Sequence, residues 1–244
     1  MEESGDDDAE PVQSQTPTST EQGQTPMSES FGPPTRREMI RQQRKAALEA
    51  TKYNIHLRTF YLDRDKFDDS QSEAWAAGGW VGLKTGYFRN RLALGATGYL
   101  SMPVYAPDDK DGTLLLQPGQ DGYAVIGEIY GDFRITDQVH ANLGRKGYDT
   151  PYINRNDVRM SPNTFEAYSI TGLHGGQDGN AEWRWGLGYF DKIKERNSDE
   201  FVSMSEDAGA DVDRGVYATG ANYKKGDFSL GAINYYSDDI INIF

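Results

Sequence analysis

Apolar and polar residues alternate through most of the chain from residue 53 onwards. In the first such segment Tyr53, Ile55 and Leu57 occupy every second position, and Trp183 and Trp185 do so in a later one. Successive side chains of a strand point to opposite faces, so this period of two predicts β-strands. Nine segments show it: 53–62, 73–85, 90–101, 122–135, 139–145, 165–173, 181–190, 214–224 and 228–236. Each is close to the ~9–11 residues with which a tilted strand crosses a bilayer.

The connections between these segments alternate between short and long. Short links are expected at Asn90, 136–138 and 225–227. Long polar loops are expected at 63–72, 102–121, 146–164 and 191–213. One short end and one long end are typical of an outer-membrane barrel, with periplasmic turns and extracellular loops. A soluble β-sandwich or jelly roll has similar strands, so the pattern leaves both all-β architectures open.

Residues 1–34 have the composition of a disordered acidic leader. Residues 1–32 contain eight acidic side chains and no basic one, with repeated Gln, Ser, Thr and Pro. Such a segment buries too little apolar surface to offset the entropy lost on ordering. We therefore expect it to be disordered.

Residues 35–52 predict a short basic helix that is not part of the barrel wall. Thr35, with Glu38 three residues later, is a capping-box pattern at the start of the segment. A thin apolar stripe then runs between basic residues: Arg36, Arg37, Arg41, Arg44 and Lys45. Such a helix could contact an anionic membrane surface, and a solvated helical leader is the alternative.

Composition excludes several classes of protein. Asp and Glu number 38 against 25 Lys and Arg, and the formal charge of −13 argues against a nucleic-acid partner. The chain has no cysteine, which excludes disulfides and thiolate chemistry. The sequence contains no run of ~18 apolar residues, so it predicts no transmembrane helix, and no secretory signal is visible after Met1. Without a nucleophile motif, a phosphate loop or metal-ligand spacing, we expect neither an enzyme nor a cofactor or metal.

Two segments resemble a known family. Residues 57–65 read Leu-Arg-Thr-Phe-Tyr-Leu-Asp-Arg-Asp, which is similar to the first strand of OprD-type outer-membrane porins. Residues 156–166 read Asn-Asp-Val-Arg-Met-Ser-Pro-Asn-Thr-Phe-Glu, which resembles a second motif of that family. Thr59 stands where the family usually has Asn, and Ala167 stands where it usually has Gly. The resemblance covers residues 53–244.

The resemblance implies an antiparallel up-and-down transmembrane β-barrel of about 18 strands, a size whose lumen is filled with water. The chain would supply nine of them, and 240–244 would open a tenth, so we expect a porin domain at 53–244 truncated at its C-terminus. It would be an outer-membrane channel of a Gram-negative bacterium, in contact with lipid, for passive and selective uptake of carboxylate solutes such as amino acids or organic acids. Homo-oligomers are left open. The alternative from the residues is a soluble sandwich that binds a saccharide through Trp183 and Trp185.

The resemblance also implies a solute path. The family's third loop folds into the barrel, and here it would carry the constriction residues Asn156, Asp157 and Pro162. Arg64 and Arg159 match two positions of the family's arginine ladder. Three further arginines lie at lumen-side positions by their alternation alone: Arg58, Arg134 and Arg184. Pairing at the surface loops is the alternative for each of them. Guanidinium groups offer planar, paired donors to carboxylates. A structural salt bridge from Arg159 to Asp157 or Glu166 is the alternative.

Overall fold

The computed structural model describes residues 33–176 and 180–244. In these ranges it contains α1 (Arg36–Glu49), a four-residue helix α2 (Met204–Asp207) and a 3₁₀ turn at Asp108–Lys110. The strands of the described ranges are β1 Lys52–Asp65, β2 Gln71–Lys84, β3 Leu92–Tyr105, β4 Tyr123–Arg134, β5 Val139–Lys146, β6 Thr164–Gly175, β7 Glu182–Lys194, β8 Val202–Ser203, β9 Val216–Lys225, β10 Phe228–Ser237 and β11 Ile241–Ile243. The leader predicted to be disordered lies outside the described residues, apart from 33 and 34.

The strands form one antiparallel sheet in which neighbours in sequence are neighbours in space. The order runs from β1 to β7 and then through β9, β10 and β11, while β8 pairs only with β7. Among the described residues β1 does not pair with β11, so the sheet is open. The nine predicted strands are confirmed, and β11 is the predicted opening of a tenth. Because there is one sheet rather than two packed sheets, the sandwich alternative is wrong.

One predicted loop is wrong. The segment 63–72 looked like a long polar loop, yet Asp63, Arg64 and Asp65 continue β1 and pair with Glu73, Ser72 and Gln71 of β2. The connection that remains is the tight turn 66–70. Backbone hydrogen bonds set the end of a strand, and polar side chains beyond the apolar band do not interrupt them. The connections 106–122, 147–163 and 195–215 are long, as predicted, although the first contains the 3₁₀ turn and the last contains β8 and α2, which the sequence pattern did not predict.

The two faces of the sheet differ in chemistry. We call the face against which residues 147–163 pack the inner face and the opposite one the outer face. Outer-face side chains on β1 are apolar and exposed, with Leu57 at 83% and Tyr53 at 74%. On β7 and β9, the ring pairs Trp183–Tyr223 and Tyr189–Tyr217 flank Leu187, each with centroids 4.8 Å apart. An apolar band between aromatic levels is the outer surface of a membrane barrel.

Helix α1 lies against the link between β2 and β3. The Gly86 amide donates to the Ala47 carbonyl over 2.9 Å, and Ala47 is the helix's buried side chain. No helix in the described ranges is both long and apolar enough to span a membrane.

Gly86 is expected to tolerate no side chain. A Cβ there would lie 2.8 Å from the Ala50 Cβ and 3.0 Å from the Ala47 carbonyl oxygen. Overpacking costs about 1–3 kcal/mol, so Gly86→Ala should speed hydrogen exchange of the residue-86 amide roughly tenfold. Gly98→Ala is the control, because the nearest atom to its Cβ would be 3.9 Å away. Equal exchange at residue 86 in both variants would mean that the contact with α1 is dispensable.

Candidate functional site

The inward loop, residues 147–163, is fixed to the inner face at two places. Ile153 is buried in a cluster with Phe165, Phe190 and Tyr235. Met160 is fully buried in a second cluster, with Ala74 and Ala76 of β2 and with Leu115 and Leu116 of the loop 106–122. These two anchors stand on separate parts of the sheet. The loop between them therefore crosses the inner face instead of extending away from the sheet.

Arg58 is paired with the inward loop. Its Nη1 and Nη2 donate to the two carboxylate oxygens of Asp157 over 2.6 and 2.9 Å, and Nη1 also reaches the Arg159 carbonyl at 2.5 Å. The guanidinium lies 4.4 Å from the ring centroid of Trp80, which stacks on His56 at 4.2 Å. A paired guanidinium on an aromatic face is a rigid contact. Asp157, expected at the constriction, is thus the carboxylate partner of Arg58.

Arg64 and Arg159 point to the same stretch of backbone. Arg64 Nη2 donates to the Gly112 carbonyl over 3.2 Å, and Arg159 Nε donates to the neighbouring Thr113 carbonyl over 3.0 Å. Neither arginine is in a salt bridge with the carboxylates of the described residues, and the alternative pairs of Arg159 do not form. Asp157 pairs with Arg58, and Glu166 pairs with Arg145. Within the described residues, the guanidiniums of Arg64 and Arg159 therefore have no anionic partner.

A third guanidinium joins them. Burial, followed by the charges of Arg196 and Arg64, lowers the pKa of Arg159 below its ordinary value. Arg196 follows β7 in the loop 195–215, and its Nη1 and Nη2 lie 3.1 and 3.0 Å from the Asn156 side-chain oxygen when that amide is turned towards it. The sequence reasoning missed Arg196. The alternation Lys192, Lys194, Arg196 at the end of β7 is the signal that could have found it.

The other two constriction residues hold the shape of the loop. Asn156 is exposed and has a positive φ of 43°, a conformation that asparagine tolerates better than most residues. Pro162 is buried between Ser161 and Asn163. Asn163 accepts the Arg196 amide over 2.8 Å. The structure thus brings Asn156, Asp157, Arg58, Arg64 and Arg159 together around one loop.

Arg134 lies elsewhere. Its Nη1 donates to Asn90 over 2.5 Å, and its guanidinium lies 3.9 Å from the Tyr87 ring centroid. Tyr123, at the other end of the 12-residue strand β4, contacts the inward loop through Ser161. At ~3.3 Å per residue, about 36 Å of strand separates the two ends. The structure does not bring Arg134 to the other arginines.

An open antiparallel sheet in sequential order, with a lipid-type outer face and a loop across its inner face, defines the wall of an outer-membrane β-barrel. Residues 45–242 match the family model of the OprD family of outer membrane porins. The chain belongs to that family, as its two motifs predicted. It is accordingly an outer-membrane protein of a Gram-negative bacterium. The family and the fold are those of channels rather than enzymes.

Solved structures share this fold. Pseudomonas aeruginosa OccK9 (OpdG) superposes with a TM-score of 0.64 at 24% identity, over 78% of this chain and 51% of that one. A BenF-like porin from Pseudomonas fluorescens Pf-5 gives 0.63 at 22% identity, over 78% and 50%. Pseudomonas aeruginosa OpdK with vanillate gives 0.61 at 22% identity, over 78% and 50%. The chain therefore spans about half the length of these structures. A search of curated protein sequences gave no match.

Proposed function

We propose that this chain forms part of the wall of a channel for passive, selective uptake of small carboxylates such as amino acids or organic acids. The observation that carries the proposal is the group of three guanidiniums at the inward loop: Arg64 and Arg159 donate to neighbouring carbonyls, and Arg196 contacts the Asn156 side chain. Their contacts with backbone and amide oxygens orient them without neutralising them. A carboxylate that reaches the loop can supply the missing negative charge.

The strength of such a contact suits transport. In a water-filled passage an ion contact at 4 Å is worth about 1–4 kcal/mol, between the limits for water and for a protein surface. That attracts an anion and still releases it, as conduction requires. The chain as a whole carries −13, so the positive group is a local feature and not the consequence of a basic protein. The structure of OpdK with vanillate supports the proposal, because vanillate is a carboxylate.

The arginines divide into three roles in this proposal. Arg64, Arg159 and Arg196 contact the solute. Arg58 holds the inward loop through Asp157 and does not itself bind solute. Arg134, which lies with the link between β2 and β3, gives positive charge to the other end of the path.

Replacing Arg159 with alanine should weaken carboxylate binding and shift the ion preference of the channel towards cations. The variant loses one of three neighbouring positive charges and keeps the two anchors of the loop. Reversal potentials of the whole channel that carries this substitution, recorded in planar bilayers under a salt gradient, measure the preference, and line broadening of benzoate in NMR measures binding in detergent. Two arginines remain, so we expect a loss in the lower part of the range for one ion contact, about 1–2 kcal/mol, which weakens benzoate binding by about fivefold to thirtyfold.

Arg145→Ala is the matched control for this test. It removes the same charge from β5, but Arg145 is paired with Glu166 and lies on the outer face. Equal shifts in the two variants would mean that the net charge, and not the arginine group, sets the selectivity. An unchanged ion preference in a folded Arg159→Ala protein would mean that Arg159 does not contact the solute.

A further inference from the structure

A lysine is fully buried next to the arginine group. Lys194, the last residue of β7, has 0% of its surface exposed. Its ammonium donates to the carbonyls of Glu195 and Ser198 over 2.8 and 3.2 Å and to the Ser161 hydroxyl over 3.4 Å. An isolated buried ammonium is expensive unless its donors are satisfied, and these three acceptors match the three donors of the Lys194 ammonium.

The contacts of Lys194 join three parts of the molecule. Its Nζ lies 5.6 Å from the ring centroid of Tyr99 on β3 and 5.7 Å from that of Tyr123 on β4. Ser161 belongs to the inward loop. The two carbonyls belong to the turn 195–198, which the hydrogen bond from the Ser198 amide to the Glu195 carbonyl closes.

That turn carries Arg196. The Arg196 carbonyl accepts from the Tyr123 hydroxyl over 2.7 Å and from the Ser161 hydroxyl over 2.9 Å, while its amide donates to Asn163 over 2.8 Å. The peptide of Arg196 is therefore held by β4 and by the inward loop. Lys194 bonds both to the turn and to Ser161, so one ammonium links the position of Arg196 to the position of the loop.

We propose that Lys194 is a positioning residue: it fixes the turn 195–198 against the inward loop so that the Arg196 guanidinium stands beside Arg159. The inference rests on the proposed function for its effect on solute, but its effect on the loop can be measured separately. Lys194 itself is buried and does not contact solute. A purely structural lysine would stabilise the sheet without changing either the loop or solute binding.

The chain has no cysteine, so a cysteine introduced at position 194 can be alkylated selectively. Two alkylating reagents then give side chains that differ only in their terminal group, an ammonium or a methyl. Lys194→Cys can be alkylated in urea, where the thiolate displaces bromide from 2-bromoethylamine to give a lysine-length side chain that ends in an ammonium. With 1-bromopropane the same displacement gives a side chain of equal length without charge. Both products are then refolded in detergent. Benzoate line broadening measures solute binding, and tryptic cleavage after Arg159 and Arg196 measures the order of the two loops.

The aminoethyl protein should match the parent in both measurements. The propyl protein should keep its β-sheet circular dichroism but bind benzoate about tenfold more weakly, the effect of one misplaced ionic contact. It should also be cleaved faster at both arginines. Unchanged binding and cleavage in the propyl protein would overturn the proposal. So would a propyl protein that fails to fold while the aminoethyl protein folds, because Lys194 would then support the sheet as a whole.

Ser161→Ala gives a second test without touching the lysine. It removes the acceptor on the inward loop together with the hydrogen bond from the Ser161 hydroxyl to the Arg196 carbonyl, and leaves both carbonyl partners of the ammonium in place. Both losses free the loop from the turn, so cleavage after Arg159 should again rise. If the parent protein itself does not bind benzoate, the proposed function fails. The cleavage rates then still decide whether Lys194 positions the loop. If the cleavage rates of the aminoethyl and propyl proteins are equal, the positioning role of Lys194 fails, whatever the result for benzoate binding.

Discussion

Replacing Arg58 with methionine is expected to release the inward loop and to speed tryptic cleavage after Arg155 and Arg159. The side chain of Arg58 is 19% exposed and makes a paired contact with Asp157. Removing it leaves the exposed Asp157 carboxylate without its cation and removes the stacking on Trp80. The contact is partly exposed, so we expect a cost of about 1–2 kcal/mol, which is a factor of roughly 5–30 in the open population that trypsin cleaves.

Arg145→Met is the control for that experiment, because Arg145 makes a similar set of contacts at the base of the loop, between β5 and β6, and none of them holds the loop to β1. It pairs with Glu166 over 3.0 Å and stacks on Phe201 at 4.2 Å, where Arg58 stacks on Trp80 at 4.4 Å. Asp157→Asn tests the charge separately from the stacking. Cleavage of Arg58→Met no faster than that of Arg145→Met would mean that the burial of Ile153 and Met160 suffices to hold the loop.

The strands could be predicted because the pleat itself imposes a period of two. Tyr53, Ile55 and Leu57 show that period because they lie on the face of β1 that meets lipid. The same reasoning failed at Asp63–Asp65, where the strand continues beyond the apolar band and both faces carry polar side chains. Pairing such as Asp65 with Gln71 keeps those residues in the sheet. Hydrophobic patterning cannot detect a strand end of this kind, because the hydrogen bonds that define it belong to the backbone.

The site was predictable only in part. The two motifs pointed to Arg64, Arg159 and the inward loop, but not to the partner of each charge. Asp157 pairs with Arg58, which is 99 positions away in sequence, rather than with its near neighbour Arg159. Which arginine pairs with Asp157 depends on how the inward loop crosses the sheet, and no local sequence pattern encodes that path. Arg196 was missed for the same reason, since only the contact between two long loops brings it to Arg159.

A charge introduced on the outer face should destabilise the membrane-inserted protein, whereas the same charge on the inner face should be tolerated. Leu187 is 54% exposed on the outer face of β7, between the ring pairs of that strand and β9. In Leu187→Arg the guanidinium would have to lie in hydrocarbon, which costs about 2–4 kcal/mol near the middle of the bilayer. Urea titration of the protein folded into lipid vesicles measures that loss of stability.

Thr171→Arg is the matched variant, because Thr171 on β6 pairs with Gly186, the residue before Leu187. Thr171 lines a cavity of about 770 Å³ on the inner face, which gives an arginine side chain space and water. We expect this variant to insert with nearly the stability of the parent, since lumen-facing charges keep their hydration. Comparable losses for both substitutions would contradict the assignment of faces, and with it the placing of the inward loop and its arginines on the water-filled side of the wall.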